Sequence, residues 1–316
     1  MNILRAGPNL VGKTLAWLSR RSYRLGHAYF HYNLRQESQR YNQPPVLIYQ
    51  MGKVGSKTVR DSLQALKLDR RVFHVHFLAP ERVREMERER RKYLGTPKAH
   101  LLKHVWQYEY LNRQLAGGFN GKQWKVVTLT REPIGRNLST FFENLEIEPM
   151  DEGRCYNIQS DYYGFQLEVN EEDLSELQRQ FFKNIRHDSP LVFFDNELKR
   201  MLGVDVYASG FPTTQGYKIY EAPHVDVLLV RLENLNACAQ EAFREFLGIE
   251  QLRLINTNIG SKKPHGSLYQ KFVETITLPA AYVDQMYTSK YVRHFYTADE
   301  IGKFRAKWLI SSGAHA

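Results

Sequence analysis

The chain holds only two cysteines, Cys155 and Cys238, in 316 residues. Two cysteines build neither a disulfide framework nor the ligand spacing of a zinc finger, and such scarcity fits a reducing compartment. Long apolar runs are missing too: nothing approaches the ~18 residues that cross a bilayer. The opening "MNILRAGPNLVGKTLAWLSRRSYR" has no apolar stretch followed by a small-residue cleavage site, so no signal peptide is expected. No internal repeat, low-complexity tract or metal-ligating constellation is legible, and the expected location is cytoplasmic. Acidic residues are the scarcer sign, 34 against 44 Lys and Arg, leaving a net charge of +10. That balance points to an anionic partner, whether nucleic acid, lipid, polyanionic polymer or phosphate-bearing small molecule, without choosing among them.

What is present is apolar enough to fold: 42% of residues are hydrophobic and 13% aromatic. Residues 1–44 read as a basic amphipathic arm in which Leu15, Trp17, Leu18, Leu25, Ala28, Tyr29 and Tyr32 recur at roughly helical spacing. "RYNQPP" at 40–45 ends it, because proline and the residue before it leave the helix. The arm is expected to dock on the body, with peripheral contact to a membrane surface as the second possibility.

From residue 45 to 316 the pattern is that of a single α/β domain. Short β-rich runs at 46–51, 71–78, 124–130 and 225–232 alternate with helical segments, which predicts a parallel sheet flanked by helices on both faces. Residues 151–170 read as irregular, 204–222 as a small hairpin excursion, and helices are expected near 171–186 and 191–202. Ligands of such sheets sit beyond the carboxyl ends of the strands.

Two segments compete as a phosphate loop. "GPNLVGKT" at 7–14 matches G-x-x-x-x-G-K-[ST] letter for letter. Yet a phosphate loop needs a buried strand before it, glycines that let N–H groups converge, and a helix N-terminus after it. Only "MNILRA" precedes this match, and no apolar strand ending in aspartate follows to hold magnesium. "VLIYQMGKVGSKTVRDSL" supplies all three: a strand at 46–51, Gly52 and Gly55 in the turn, and a helix from Ser56. Lys53 sits early in the turn, placed to meet charge on a bridging oxygen. Ser56, Lys57 and Thr58, with their N–H groups, would hold phosphate at the helix N-terminus. The third strand, "VVTLTREPIGRNLS", ends at Arg131, a planar fork for a second phosphate. Ser139 follows eight residues later, about two helical turns along.

That pair of motifs, in this order on core strands, resembles the PAPS-dependent sulfotransferases. The resemblance implies a P-loop-type fold and 3′-phosphoadenosine 5′-phosphosulfate (PAPS) as sulfuryl donor, with no metal. Gly52, Lys53, Val54, Gly55, Ser56, Lys57 and Thr58 then take the 5′-phosphosulfate, and Arg131 and Ser139 the 3′-phosphate. "REPIGRNLSTFFEN", "HVHFL" at 74–78, "NIGSKK" at 258–263 and "FYTADEI" at 295–301 are similar to a bacterial group of capsular polysaccharide synthesis proteins, over most of residues 45–309. The implied reaction is sulfuryl transfer from PAPS to an acceptor hydroxyl, on a saccharide or polysaccharide, by in-line displacement.

A general base must take the acceptor's proton. His76 is the first choice and His74, two residues back on the same strand face, would orient it or line the site. His104 in "LLKHVW" is the rival. Lys262 and Lys263 are expected to close over the nucleotide. Two other readings remain: a kinase using "GPNLVGKT" with ATP and magnesium, and a non-enzymatic module binding a polyanion. Nucleic acid is not the expected partner.

Overall fold

The computed structural model describes residues 8–143, 145–150, 153–158, 169–170, 174–255 and 266–309. Two helices come first, α1 (Pro8–Arg21) and α2 (Tyr23–Ser38), with Ser22 between them accepting a bond from the Leu25 N–H as the α2 N-cap. The match "GPNLVGKT" therefore lies largely within a helix. Leu15, Ser19, His31 and Leu34 are buried, and α2 lies against α5 (Leu102–Ala116). Gly26 permits that approach: a Cβ there would stand 2.7 Å from the Trp106 indole and 2.8 Å from Ser19 Oγ. Away from this seam Trp17, Leu25 and Tyr32 remain exposed, with the Arg21 guanidinium 3.8 Å above the Trp17 ring.

The body is built on a five-stranded sheet. Its strands are β1 (Val46–Tyr49), β2 (Val72–Val75), β3 (Trp124–Thr130), β7 (Tyr217–Ala222) and β8 (Val225–Arg231), in the order β2-β1-β3-β8-β7. Every residue of β1 is buried, the continuous apolar run expected of a strand covered on both faces. Parallel pairing sets Ile48 beside His74 and Val127, and Thr130 beside Arg231.

The expectation of a wholly parallel sheet fails at one edge. Strand β7 runs antiparallel to β8, because only Pro223 and His224 separate them and two residues allow a hairpin but no crossover. The hairpin read at 204–222 is thus formed with the core strand itself. Nor is 151–170 wholly irregular: β4 (Leu145–Met150), β5 (Gly153–Ile158) and β6 (Val169–Asn170) make a small antiparallel sheet.

Helices α3 (Ser56–Ala65), α4 (Pro80–Arg91) and α6 (Pro133–Glu143) follow β1, β2 and β3 in turn. Beyond them come α7 (Leu174–Asn184), and α8 (Ser189–Phe193) running through a π-helical turn (Phe194–Lys199) into α9 (Arg200–Leu202). The helix expected near 191–202 is present, with a π-helical turn in its middle. The rest of the described chain is α10 (Leu235–Leu247), α11 (Gly266–Thr275), α12 (Ala280–Tyr287), α13 (Lys290–Phe295) and α14 (Ala298–Leu309). Among the described residues no helix is long and apolar enough to cross a membrane.

This strand order creates a switch point. The chain leaves β1 toward β2 and leaves β3 toward β8, in opposite directions along the sheet. Between the carboxyl ends of β1 and β3 the connections part and open a crevice.

Candidate active site

A cavity of about 990 Å³ lies in this region. Its wall takes in Gly52, Lys53, Gly55, Ser56, Lys57 and Thr58 from the β1–α3 loop, His74 and His76 from β2 and its end, His104 from α5, and Arg131 and Ser139 from β3 and α6. Residues spread over 88 positions of sequence thus meet at one place. Val54 does not join them: its side chain is fully buried in the core. Lys262 and Lys263 lie outside the described residues.

The loop is shaped by two left-handed residues, Lys53 at φ +70° and Gly55 at φ +83°. Gly55 is required twice over, since a Cβ would also stand 2.5 Å from Leu232 Cδ1. A lysine in this conformation is unusual and carries about 1 kcal/mol or more of strain, held by its surroundings. Two arginines brace the turn. Arg131 Nη1 donates to the Lys53 carbonyl at 3.0 Å, and Arg136 Nε donates to the Gly52 carbonyl at 3.0 Å.

Helix α3 begins without a side-chain cap and without an acidic residue in its first turn. Its positive end and first amides therefore face the cavity uncompensated, a ready anion site. Thr58 corrects the expectation in part, because its N–H already donates to the Gly55 carbonyl at 3.1 Å. The amides of Ser56 and Lys57 carry the phosphate reading. Helix α6 is the opposite case. The Glu132 carboxylate accepts from the N–H groups of Ile134 at 2.8 Å and Gly135 at 2.6 Å, which satisfies that helix end from within the protein.

One stripe of α6, Arg136, Ser139, Thr140 and Glu143, faces the cavity at spacings of three and four. Lys53 has a partner that the local pattern does not reveal: its ammonium lies 3.0 Å from the Glu143 carboxylate. Nine Lys or Arg side chains line the cavity against three Glu, so the wall favours an anionic ligand.

The histidines are arranged around Gln50. His74 Nε2 lies 2.9 Å from Ser56 Oγ and 3.2 Å from the Gln50 amide nitrogen. His76 Nδ1 lies 3.2 Å from the Gln50 carbonyl and 3.1 Å from that same amide nitrogen. Donation from Nδ1 to the carbonyl is the tautomer that leaves Nε2 with its lone pair; the amide N–H donating to Nδ1 is the other, and the geometry admits both. Burial lowers the pKa of His76, with Arg136 and Lys53 pushing the same way and the Gln50 carbonyl opposing. Burial pushes His74 down to about 3, helped by His76 and Arg60, and His104 down to about 4, helped by Arg90 and Lys103. All three rings are neutral at pH 7, the form a base requires.

Two wall residues escaped the sequence reading. Arg136 is nine-tenths buried beside the loop, and nothing in "REPIGRN" separates it from a solvent arginine. Glu197 sits in the π-helical turn, where its carboxylate accepts from the N–H groups of Leu78 at 2.8 Å and Ala79 at 3.0 Å and from the Tyr49 hydroxyl. Burial raises its pKa, and these three donors oppose the rise. It pins the end of β1 to the start of α4, and with them the segment carrying His76. A π-turn leaves no sequence signature, so nothing in the pattern near 191–202 separates Glu197 from a solvent-facing helical acid.

Comparison with known proteins adds one likeness. A family model described as "Putative capsular polysaccharide synthesis protein" matches residues 165–297. The capsular polysaccharide match is narrower than the resemblance read over 45–309. It covers the α8–α9 wall, with Glu197 and Arg200, but not the β1–α3 loop or Arg131. No curated protein and no solved structure matches the chain.

Proposed function

We propose that this cavity binds PAPS and that the protein is an enzyme moving its sulfuryl group to an acceptor hydroxyl on a saccharide. The observation that carries the reading is the meeting, in one cationic crevice, of an uncapped helix N-terminus with an arginine from the neighbouring strand. The Ser56 and Lys57 amides take the 5′-phosphate, and Arg131 with Ser139 takes the 3′-phosphate. Lys53 meets the charge that grows on the leaving oxygen, where a preorganised cation stabilises most.

His76 is the base. As the acceptor oxygen bonds to sulfur and the bond from sulfur to the 5′-phosphate oxygen breaks, the acceptor's proton passes to His76 Nε2. His74 is turned toward Ser56 and Gln50 and serves to position rather than to accept the proton. The saccharide as acceptor rests on the capsular polysaccharide match.

The test is calorimetry with the product 3′,5′-bisphosphate, PAP, on wild type, Lys53→Ala and Arg131→Ala. Wild type should bind, Arg131→Ala should weaken binding on the order of 100-fold, and Lys53→Ala should weaken it less, since the product lacks the sulfuryl group. No binding to wild type sinks the proposal. Tight ATP-magnesium binding instead would favour a kinase. Steeply salt-dependent binding of long polymers, indifferent to Arg131, would favour a polyanion module.

A further inference from the structure

Away from this cavity, where α2 crosses α5, His27 and His31 stand one helical turn apart on α2 and face Glu109 of α5. One ring nitrogen from each histidine and one carboxylate oxygen lie within 4.8 Å of one another. His27 Nε2 is 3.0 Å from Glu109 Oε2. His31 is only 7% exposed, and its Nε2 is buried with no hydrogen-bond partner among the described residues. A buried polar nitrogen without a partner is costly in an aromatic surrounding, and that cost asks for an occupant. The Trp106 ring stands edge-on to His27 at 6.0 Å and Phe30 edge-on to His31 at 5.9 Å, so the pocket is dry on those sides.

We propose that His27, His31 and Glu109 form a binding site for a divalent transition-metal ion, zinc above all, that clips α2 to α5. Two imidazoles and one carboxylate are a donor set zinc accepts, with a fourth position left for water. Tetrahedral zinc sets its ligand atoms about 3.3 Å apart, so a small inward rotation of these side chains closes them on an ion. The shell behind them is also built: the Tyr23 hydroxyl lies 3.4 Å from Glu109 Oε1 and 3.0 Å from Glu87 Oε1, orienting the ligating carboxylate. An ion can enter beside His27, whose side chain is 26% exposed. The spacing H-x-x-x-H is visible at 27–31, but its third ligand lies 78 residues further on and is supplied only by packing.

The proposal is independent of the sulfuryl-transfer reading. Its test uses the full chain, stripped with EDTA and dialysed, titrated with zinc chloride in a calorimeter and with cobalt(II) in a visible spectrophotometer. One equivalent should bind, cobalt should give the absorption of a four-coordinate site, and the melting temperature should rise with zinc. His27→Gln, His31→Asn and Glu109→Gln should each weaken zinc by more than about 100-fold, and Tyr23→Phe by about 10-fold. Absence of stoichiometric zinc binding overturns the proposal, as does equal binding by wild type and His27→Gln. Should His31→Asn fail to fold, the partly exposed His27 still decides the question.

Discussion

Residues 7–14 and 50–58 use nearly the same letters, glycine, lysine and threonine, and come to opposite ends. In the first, Gly12, Lys13 and Thr14 lie beyond the first turn of α1, so their N–H groups point back along the helix to carbonyls four residues earlier. They cannot converge on a phosphate. In the second, β1 delivers the chain to a turn held by Gly55 and two arginines, and α3 starts with its amides unclaimed by any side chain. The first matches a pattern; the second meets the conditions that give the pattern its chemistry.

Breaking the second loop should have the largest effect. Gly55→Ala forces a methyl into Leu232 at a positive φ and should cost about 2–5 kcal/mol, read by urea denaturation, with PAP binding lost beyond detection. A stable variant with normal affinity would mean that the turn is not the anion site.

The second test separates holding from chemistry. His76→Ala should keep PAP affinity within a few-fold yet lose ~10²–10⁴ in turnover. Because burial lowers its pKa, the acid limb of wild-type turnover should fall below the ordinary histidine range. Full turnover in the variant would move the base to His74 or His104.

A smaller effect concerns stability against pH. The folded pKa of His74 is about 3, below its ordinary 6.5, so the unfolded chain takes up that proton first. Stability should therefore fall as pH drops from 6.5 toward 3. Thermal melts of His74→Asn should show a shallower acid decline than wild type; an unchanged decline would assign it to other groups.

Smallest of all is the first motif. Lys13→Ala should leave PAP affinity unchanged by calorimetry, and Gly12→Ala should leave it unchanged while adding about 0.5–1 kcal/mol of helix stability. Among the described residues nothing outside its own helix stands within 4 Å of where a Gly12 side chain would begin. These substitutions are sharper than deleting residues 1–40, which would uncover Trp106 and confound binding with folding.

Much of this was legible from local pattern. The strands at β1, β3 and β8 are apolar runs bounded by turns, and Arg131 and the 52–58 loop each sit at a strand end where α/β sheets bind ligands. Less legible were features set by contact across the chain. The antiparallel β7 depends on a two-residue connection that joins a stretch read as a hairpin excursion to the core strand after it. The Glu143 partner of Lys53 lies 90 residues away and reaches it only through the packing of α6. Arg136 and Glu197 look like ordinary surface charges until their burial is known.

By itself the sequence determined the period of the core segments, the order of the four central strands and the helices between them, and the glycine-bearing turn after the first of these strands. Those are local properties, written in hydrophobic spacing and backbone sterics over a few residues. The tertiary structure alone decided which charges are buried, which polar groups surround each histidine, and which helix end is left without a cap. Each of these is a property of what lies opposite a residue in space, and no spacing along the chain records it. So the better-spelled motif became a stretch of helix, and the less regular one became the candidate site.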